Sequence, residues 1–266
     1  MSIKDILCNL VACGRNRTAY ILEYLTSLGV HHVVQEYSTG QKNIEFFTSN
    51  DETKQDIIFF AHHDISLKTN EGANDNTSSV AVLLALAKQI CNRTFAYNVR
   101  FVFTDNEELL GALSSSITAE KLQLIMPHVG SYMYLNKFPD KERIRHIIVM
   151  ELSGVGDSVY VASQSGNVIT DIELNKKIFD VAQRNNFQVV QLKLPSTDML
   201  SVKVFNLSGT VIGAIPYYQA QNYLTQEKQL PTVWRNIHSE KDNLFAIQDK
   251  ALEMMKSFLL HILEEL

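Results

Sequence analysis

The chain has only three cysteines, Cys8, Cys13 and Cys91, among 266 residues. Their odd number and the lack of any metal-type spacing argue against a thiolate metal site and a disulfide framework. Two of them fall in apolar periodic segments, where a free thiol acts as a small hydrophobe. A basic stripe is absent as well: 24 Lys and Arg stand against 29 Asp and Glu, for a net charge of −5. That balance argues against nucleic acid as a partner. No apolar run approaches the ~18–20 residues of a membrane span, so no membrane partner is expected. The first ten residues lack the charged start and long apolar stretch of a signal peptide. The expectation is a cytoplasmic protein, or a secreted one if a leader has been trimmed away. Repeats and low-complexity linkers are missing too.

What remains is a core-forming composition, 45% hydrophobic and 20% charged. The length suits one α/β domain, taken here as residues 1–266. Residues 2–28 read as two helical pieces interrupted near Gly14. Strands are expected at 32–38 and 43–49, joined by a short Gly-containing link that suits a hairpin. Further strands are expected at 56–61, 99–105, 145–152, 157–163, 187–194 and 209–216. A helix over 77–91 is apolar almost all round and should be buried, with Thr77 or Ser78 as its cap. Helices should also fill 170–186 and 247–265. Strands alternating with helices predict a three-layer α/β/α sandwich with a mixed, mainly parallel central sheet.

Nitrogen and oxygen donors recur just past the expected strands. His62 follows the 56–61 run, Glu107 and Glu108 follow 99–105, and Glu151 follows 146–150. The carboxyl ends of strands are where open α/β sheets bind ligands. Asp75 lies in the polar loop Glu71–Thr77 before the buried helix, and His238 lies in a late polar loop. Taken singly, each has an ordinary explanation: a helix cap, a solvated rim, a surface histidine. One di-metal site accounts for all five positions together, the adjacent glutamates counting as one, and hard oxygen plus imidazole without thiolate suits Zn²⁺, with Mn²⁺ or Co²⁺ as substitutes. Asp64, two residues after His62, is expected to share its side of the strand and accept its ring N–H. His63 should point the other way. Adjacent glutamates can divide the labour, one binding metal while its neighbour stays free as a base. Asp75 could bridge two cations if Gly72 lets the backbone approach closely.

The ordered motifs His62-His-Asp64, Gly72-Ala-Asn-Asp-Asn76, Glu107-Glu108, Glu151 to Gly154 and His238-Ser-Glu-Lys-Asp242 resemble the di-zinc aminopeptidase family. That family includes bacterial leucyl aminopeptidases, glutamate carboxypeptidases and glutaminyl cyclases. The resemblance runs from about residue 43 to 243. It implies a zinc-exopeptidase fold and two zinc ions, one held by His62 and Glu151 and the other by Glu108 and His238. Asp75 would bridge them, Glu107 would be the general base, and Asp64 would orient His62. It also implies a cis peptide after Asp75 and a peptide substrate with a free N-terminus. Glu151 replaces the commoner Asp, Met199 replaces a His after Asp198, and Ile237 replaces a hydroxylated aromatic. The oxyanion donor is therefore unassigned, with Tyr217 and Tyr218 as candidates. Asp242 either orients His238 or belongs to the turn before the last helix. An aminopeptidase is the leading expectation. A glutaminyl-cyclase-like acyltransferase would need one zinc. A carboxypeptidase would need a basic pocket, for which Arg235 is the candidate. A binding protein of the same fold would typically have lost ligands.

Overall fold

The computed structural model describes residues 1–111, 119–225 and 230–266. Two helices open the chain, α1 (Ile3–Ala12) and α2 (Arg17–Ser27), then the strands β1 (His32–Ser38) and β2 (Gln41–Phe47). β3 (Asp56–His62) leads to α3 (Ser78–Ile90), and β4 (Asn98–Thr104) leads to the short α4 (Glu108–Gly111). After α5 (Ala119–Ile125) and α6 (Gly130–Lys137) come β5 (Ile144–Met150), β6 (Ser158–Ser165) and β7 (Val168–Ile169). α7 (Ile172–Arg184), β8 (Val189–Leu194), α8 (Met199–Val204) and β9 (Gly209–Ile215) follow. α9 (Tyr217–Thr225) and α10 (Thr232–Asn236) precede the final helix α11 (Asp249–Glu265).

The described strands form one mixed sheet in the order β1-β2-β4-β3-β5-β9-β6, with β7 and β8 both paired to β6. Parallel ladders join β4, β3, β5 and β9 at the centre. Antiparallel ladders close both flanks, β1–β2–β4 on one side and β9–β6 on the other. Every residue of β3 is buried, as a strand covered on both faces requires. Its residues alternate between two cores. Ile57, Phe59 and Ala61 pack with α1, α3, α7 and α11, whereas Ile58 and Phe60 pack with α6, α8 and α10. Helices therefore cover both faces, and the expected three-layer α/β/α sandwich is what the chain forms. Local signals agree with it: Ser2 and Asp5 form a reciprocal capping box at α1.

The cap of α3 departs from expectation. Thr77 and Ser78 do not cap it; their hydroxyls donate backwards, to the carbonyls of Gly72 (2.6 Å) and Asn74 (2.8 Å). The preceding loop already curls helically into α3, so the hydroxyls tie the loop down instead of serving free amides.

Register decides where the polar residues emerge. His62 pairs with Thr104 across β3–β4, and Phe60 pairs with Val149 across β3–β5. Three parallel neighbours thus end at one level, and the residues that follow each of them leave the sheet at the same edge.

Candidate metal centre

That edge gathers every donor singled out from the sequence. His62 Nε2 lies 3.2 Å from Asp75 Oδ1 and 3.6 Å from Glu151 Oε2. His238 Nε2 lies 3.1 Å from Asp75 Oδ2 and 3.0 Å from Glu108 Oε2. The arrangement is two triads, His62–Asp75–Glu151 and Asp75–Glu108–His238, with one carboxylate oxygen of Asp75 facing each. Glu107 belongs to neither; its Oε2 stands 3.8 Å from His62 Nε2.

The backbone is shaped to bring them there. Gly72 is left-handed at φ 50°, and a Cβ on it would meet Ile65 Cγ2 at 2.6 Å and the Asp75 carbonyl at 2.7 Å. No other residue type fits that approach. The Asp75–Asn76 peptide is cis, as the resemblance implied. Asn106, Leu152 and His238 also adopt positive φ, at 61°, 53° and 55°. Each is a donor or lies within two residues of one, and left-handed non-glycine residues collect at functional sites.

Asn74 and Asn76, flanking Asp75, act as splints. Asn76 donates to the Met150 carbonyl (2.7 Å) and accepts the Leu152 amide (3.2 Å). It therefore brackets Glu151 on both sides. Asn74 accepts the Gly154 amide at 2.8 Å. Asp242 does not orient His238: its carboxylate accepts the amides of Asn74 (2.6 Å) and Asp75 (3.1 Å). It holds the loop carrying the shared carboxylate instead. Burial and the neighbouring Asp75 push Asp242 up to about 7.

His62 Nδ1 hydrogen-bonds the main-chain carbonyl of Asp64 at 3.2 Å and lies 3.3 Å from its Oδ1, though not by strand alternation. β3 ends at His62, and the loop turns Asp64 back beneath the ring. Its two oxygens also accept the amides of Glu107 and Glu108, each at 3.1 Å. One carboxylate thus ties the imidazole to the glutamate pair. His63 turns elsewhere, toward the Lys42 carbonyl.

Buried carboxylates crowd this edge. Burial pushes Glu107 well above the usual carboxylate range, helped by Glu151, Asp198 and Glu108 and opposed by His62. Burial likewise raises Glu151 to about 7 against the pull of His62. His238 is raised to about 10 by its contacts with Asp75 and Glu108. Glu108 Oε1 is buried without a hydrogen-bond partner. The histidine-to-carboxylate separations, 3.2 and 3.6 Å in one triad and 3.1 and 3.0 Å in the other, can be spanned by one ion at about 2.0–2.2 Å from each donor. The residues fit zinc by donor type, spacing and charge.

A cavity of about 330 Å³ opens over the triads, lined by Glu107, Glu151 and His238 together with Leu152, Tyr160, Leu194 and Trp234. Neither Tyr217 nor Tyr218 lines it, and Tyr218 is exposed. Arg235 does not line it either; its guanidinium bonds Thr232. Behind Glu107 lies a buried carboxylate whose role sequence reasoning did not assign. Asp198 accepts Thr104 Oγ1 at 2.8 Å and the hydroxyl of Ser131, and burial raises its pKa. Its place in a Thr197-Asp198-Met199 element was the only hint.

An α/β/α sandwich with paired acid–imidazole triads at its strand ends is the architecture of a metallohydrolase. The family model of peptidase family M28 matches residues 43–263, and the chain belongs to that zinc peptidase family. A search of curated proteins finds no significant match. Among solved structures, a zinc aminopeptidase from Bacillus subtilis is 16% identical with a TM-score of 0.61, covering 83% of this chain and 48% of its own. The chain thus spans about half the length of that protein. A leucine aminopeptidase precursor from Bacteroides thetaiotaomicron is 18% identical (TM-score 0.72, covering 98% of this chain and 95% of its own). A glutaminyl cyclase from the same organism, bound to N-acetylhistamine, is 19% identical (TM-score 0.73, 98% and 96%). These likenesses show the fold. Among the described residues, no helix is long and apolar enough to cross a membrane.

Proposed function

We propose that this peptidase is an aminopeptidase working with two zinc ions per chain, within one domain spanning residues 1–266. The observation that carries the reading is the pair of triads sharing Asp75, with Glu107 beside them but in neither. His62, Asp75 and Glu151 would hold one ion, and Asp75, Glu108 and His238 the other. Bound zinc supplies Lewis acidity, which polarises a carbonyl and acidifies water. Glu107 takes the proton of the attacking water and hands it to the leaving amine. Its place beside both triads and in neither suits that transfer. Asp64 orients His62 and fixes the amides of the glutamate pair. Glu107 and Glu151 receive the free α-amine of the peptide, and the Leu152, Leu194 and Trp234 wall receives an apolar side chain. Among the described residues, the cavity lining offers carboxylates and apolar side chains, which suit a free amine.

The test is mass spectrometry of a mixed peptide pool with the zinc-loaded protein, beside a zinc count per chain. Stepwise loss from free N-termini, none from acetylated peptides, and two zincs support the aminopeptidase. Loss of ammonia from N-terminal Gln with one zinc moves the reading to a cyclase, and C-terminal shortening moves it to a carboxypeptidase. Glu107→Gln is expected to keep both zincs and to lose about 10²–10⁴-fold in turnover. Unchanged turnover removes Glu107 from its role.

A further inference from the structure

Three cations near the start of the chain reach across to the loops around the shared carboxylate. Arg15 donates to the carbonyls of Ile65 (2.8 Å), Ser66 (3.0 Å) and Thr69 (3.3 Å). Arg17, fully buried, donates to the carbonyls of His63 (3.4 Å) and Glu71. Lys4 donates to the carbonyls of Leu244 (3.2 Å) and Ile247 (3.3 Å). The first two residues grip the segment between His62 and Asp75. The third grips the segment just after Asp242. Those two segments are also tied to each other, by Glu71 accepting the Leu244 amide (2.7 Å) and by Asp242 on Asn74 and Asp75. All three cations precede residue 43, where the family match begins.

We infer that α1 and α2 form a clasp for the metal centre, in which Arg15, Arg17 and Lys4 are positioning residues that hold the Asp75 loop in its ligating shape. The inference rests on the reading that these triads hold zinc. A loop that carries ligands costs conformational entropy to order, and that cost weakens metal binding unless it is met beforehand. Among the described residues, Arg15 and Arg17 hydrogen-bond main-chain carbonyls alone. A guanidinium fork can span two carbonyls eight residues apart in sequence, as Arg17 does at His63 and Glu71; an ammonium group is a point donor without that reach.

The test is zinc affinity of the full chain, measured by competition with a chromophoric chelator, with circular dichroism of the zinc-free protein alongside. Arg15→Met and Arg17→Met are expected to weaken zinc binding by about 10–100-fold, the range for residues that support ligands from behind. Arg17→Lys is expected to stay weakened, because it keeps the charge and loses the fork. Arg15 is exposed, so Arg15→Met should keep the wild-type dichroism spectrum even if Arg17→Met fails to fold. In Arg15→Met, excess zinc should restore wild-type turnover, which a merely distorted active site would not allow. Wild-type zinc affinity in Arg15→Met or in Arg17→Lys overturns the clasp, and so does failure of excess zinc to restore Arg15→Met. A wild-type chain that binds no zinc overturns the metal reading itself, and the clasp with it.

Discussion

Replacing Asn76 by Ala tests whether the loop before α3 truly frames Glu151. The side chain satisfies two main-chain groups at the end of β5, the Met150 carbonyl and the Leu152 amide. Both bonds are buried. Alanine leaves a buried acceptor and a buried donor unpaired, each at about 1–3 kcal/mol, so the loss should be about 2–6 kcal/mol. Urea unfolding of the chelator-treated protein measures it. With an m-value near 3 kcal/mol per M, the midpoint should fall by roughly 1–2 M. Zinc binding offers a second readout. On the proposed ligand set, the ion of His62 and Glu151 should weaken more than that of Glu108 and His238, because only the first triad depends on the β5 end. A loss under about 1 kcal/mol, or equal weakening of both ions, would refute the splint: a buried amide and carbonyl cannot lose their partner that cheaply.

Gly213→Ala places a Cβ 1.7 Å from the Glu151 carbonyl and 2.5 Å from the Tyr160 hydroxyl. The loss should exceed the ~1–3 kcal/mol usual for overpacking, and thermal melting should show the variant largely unfolded. Chelation should lower the melting temperature of the wild type: ligand at about 1,000 times its dissociation constant stabilises by ~4 kcal/mol, and an unchanged melting curve would contradict tight zinc binding. Burial, with Lys177 and Arg145 nearby, depresses His146 from 6.5 to about 4. The unfolded chain therefore binds this proton first as pH falls. Stability from this group is complete above pH 6.5 and is lost between 6.5 and about 4. In His146→Gln that part of the acid slope in urea midpoints should vanish.

The strand ends were legible because each donor directly follows an apolar run, and parallel pairing converts that position in sequence into a position in space. Gly72 and Asp75 were legible chiefly through the Gly72-Ala-Asn-Asp-Asn76 motif, since taken alone the loop reads equally well as a helix cap. The supporting residues were not. Asn74, Asn76 and Asp242 act on main-chain groups, and a hydrogen bond to backbone leaves no complementary residue elsewhere to be noticed. Arg15 and Arg17 look like ordinary surface cations at a helix start until the loop they hold is folded against them. Asp64 lies beside His62, but alternation does not bring it there, because the strand stops at His62 and the ring bonds the Asp64 main-chain carbonyl. α6, Gly130–Lys137, was not foreseen; its sequence has little amphipathic pattern, and the helix is held by tertiary packing of Tyr134 and Leu135.

The sharing of Asp75 between two triads also sets an order of assembly. Donors at 62, 75 and 151 are all present once β5 has been made, whereas the second triad waits for residue 238. A zinc finger closes a short loop around its ion, so the metal can drive its folding. Here the donors meet only after β3, β4 and β5 have paired, and such long-range pairing is slow. On the proposed reading, the first ion would be taken up only after three strands have paired. On the same reading, a chain stalled before residue 238 would hold one ion at most.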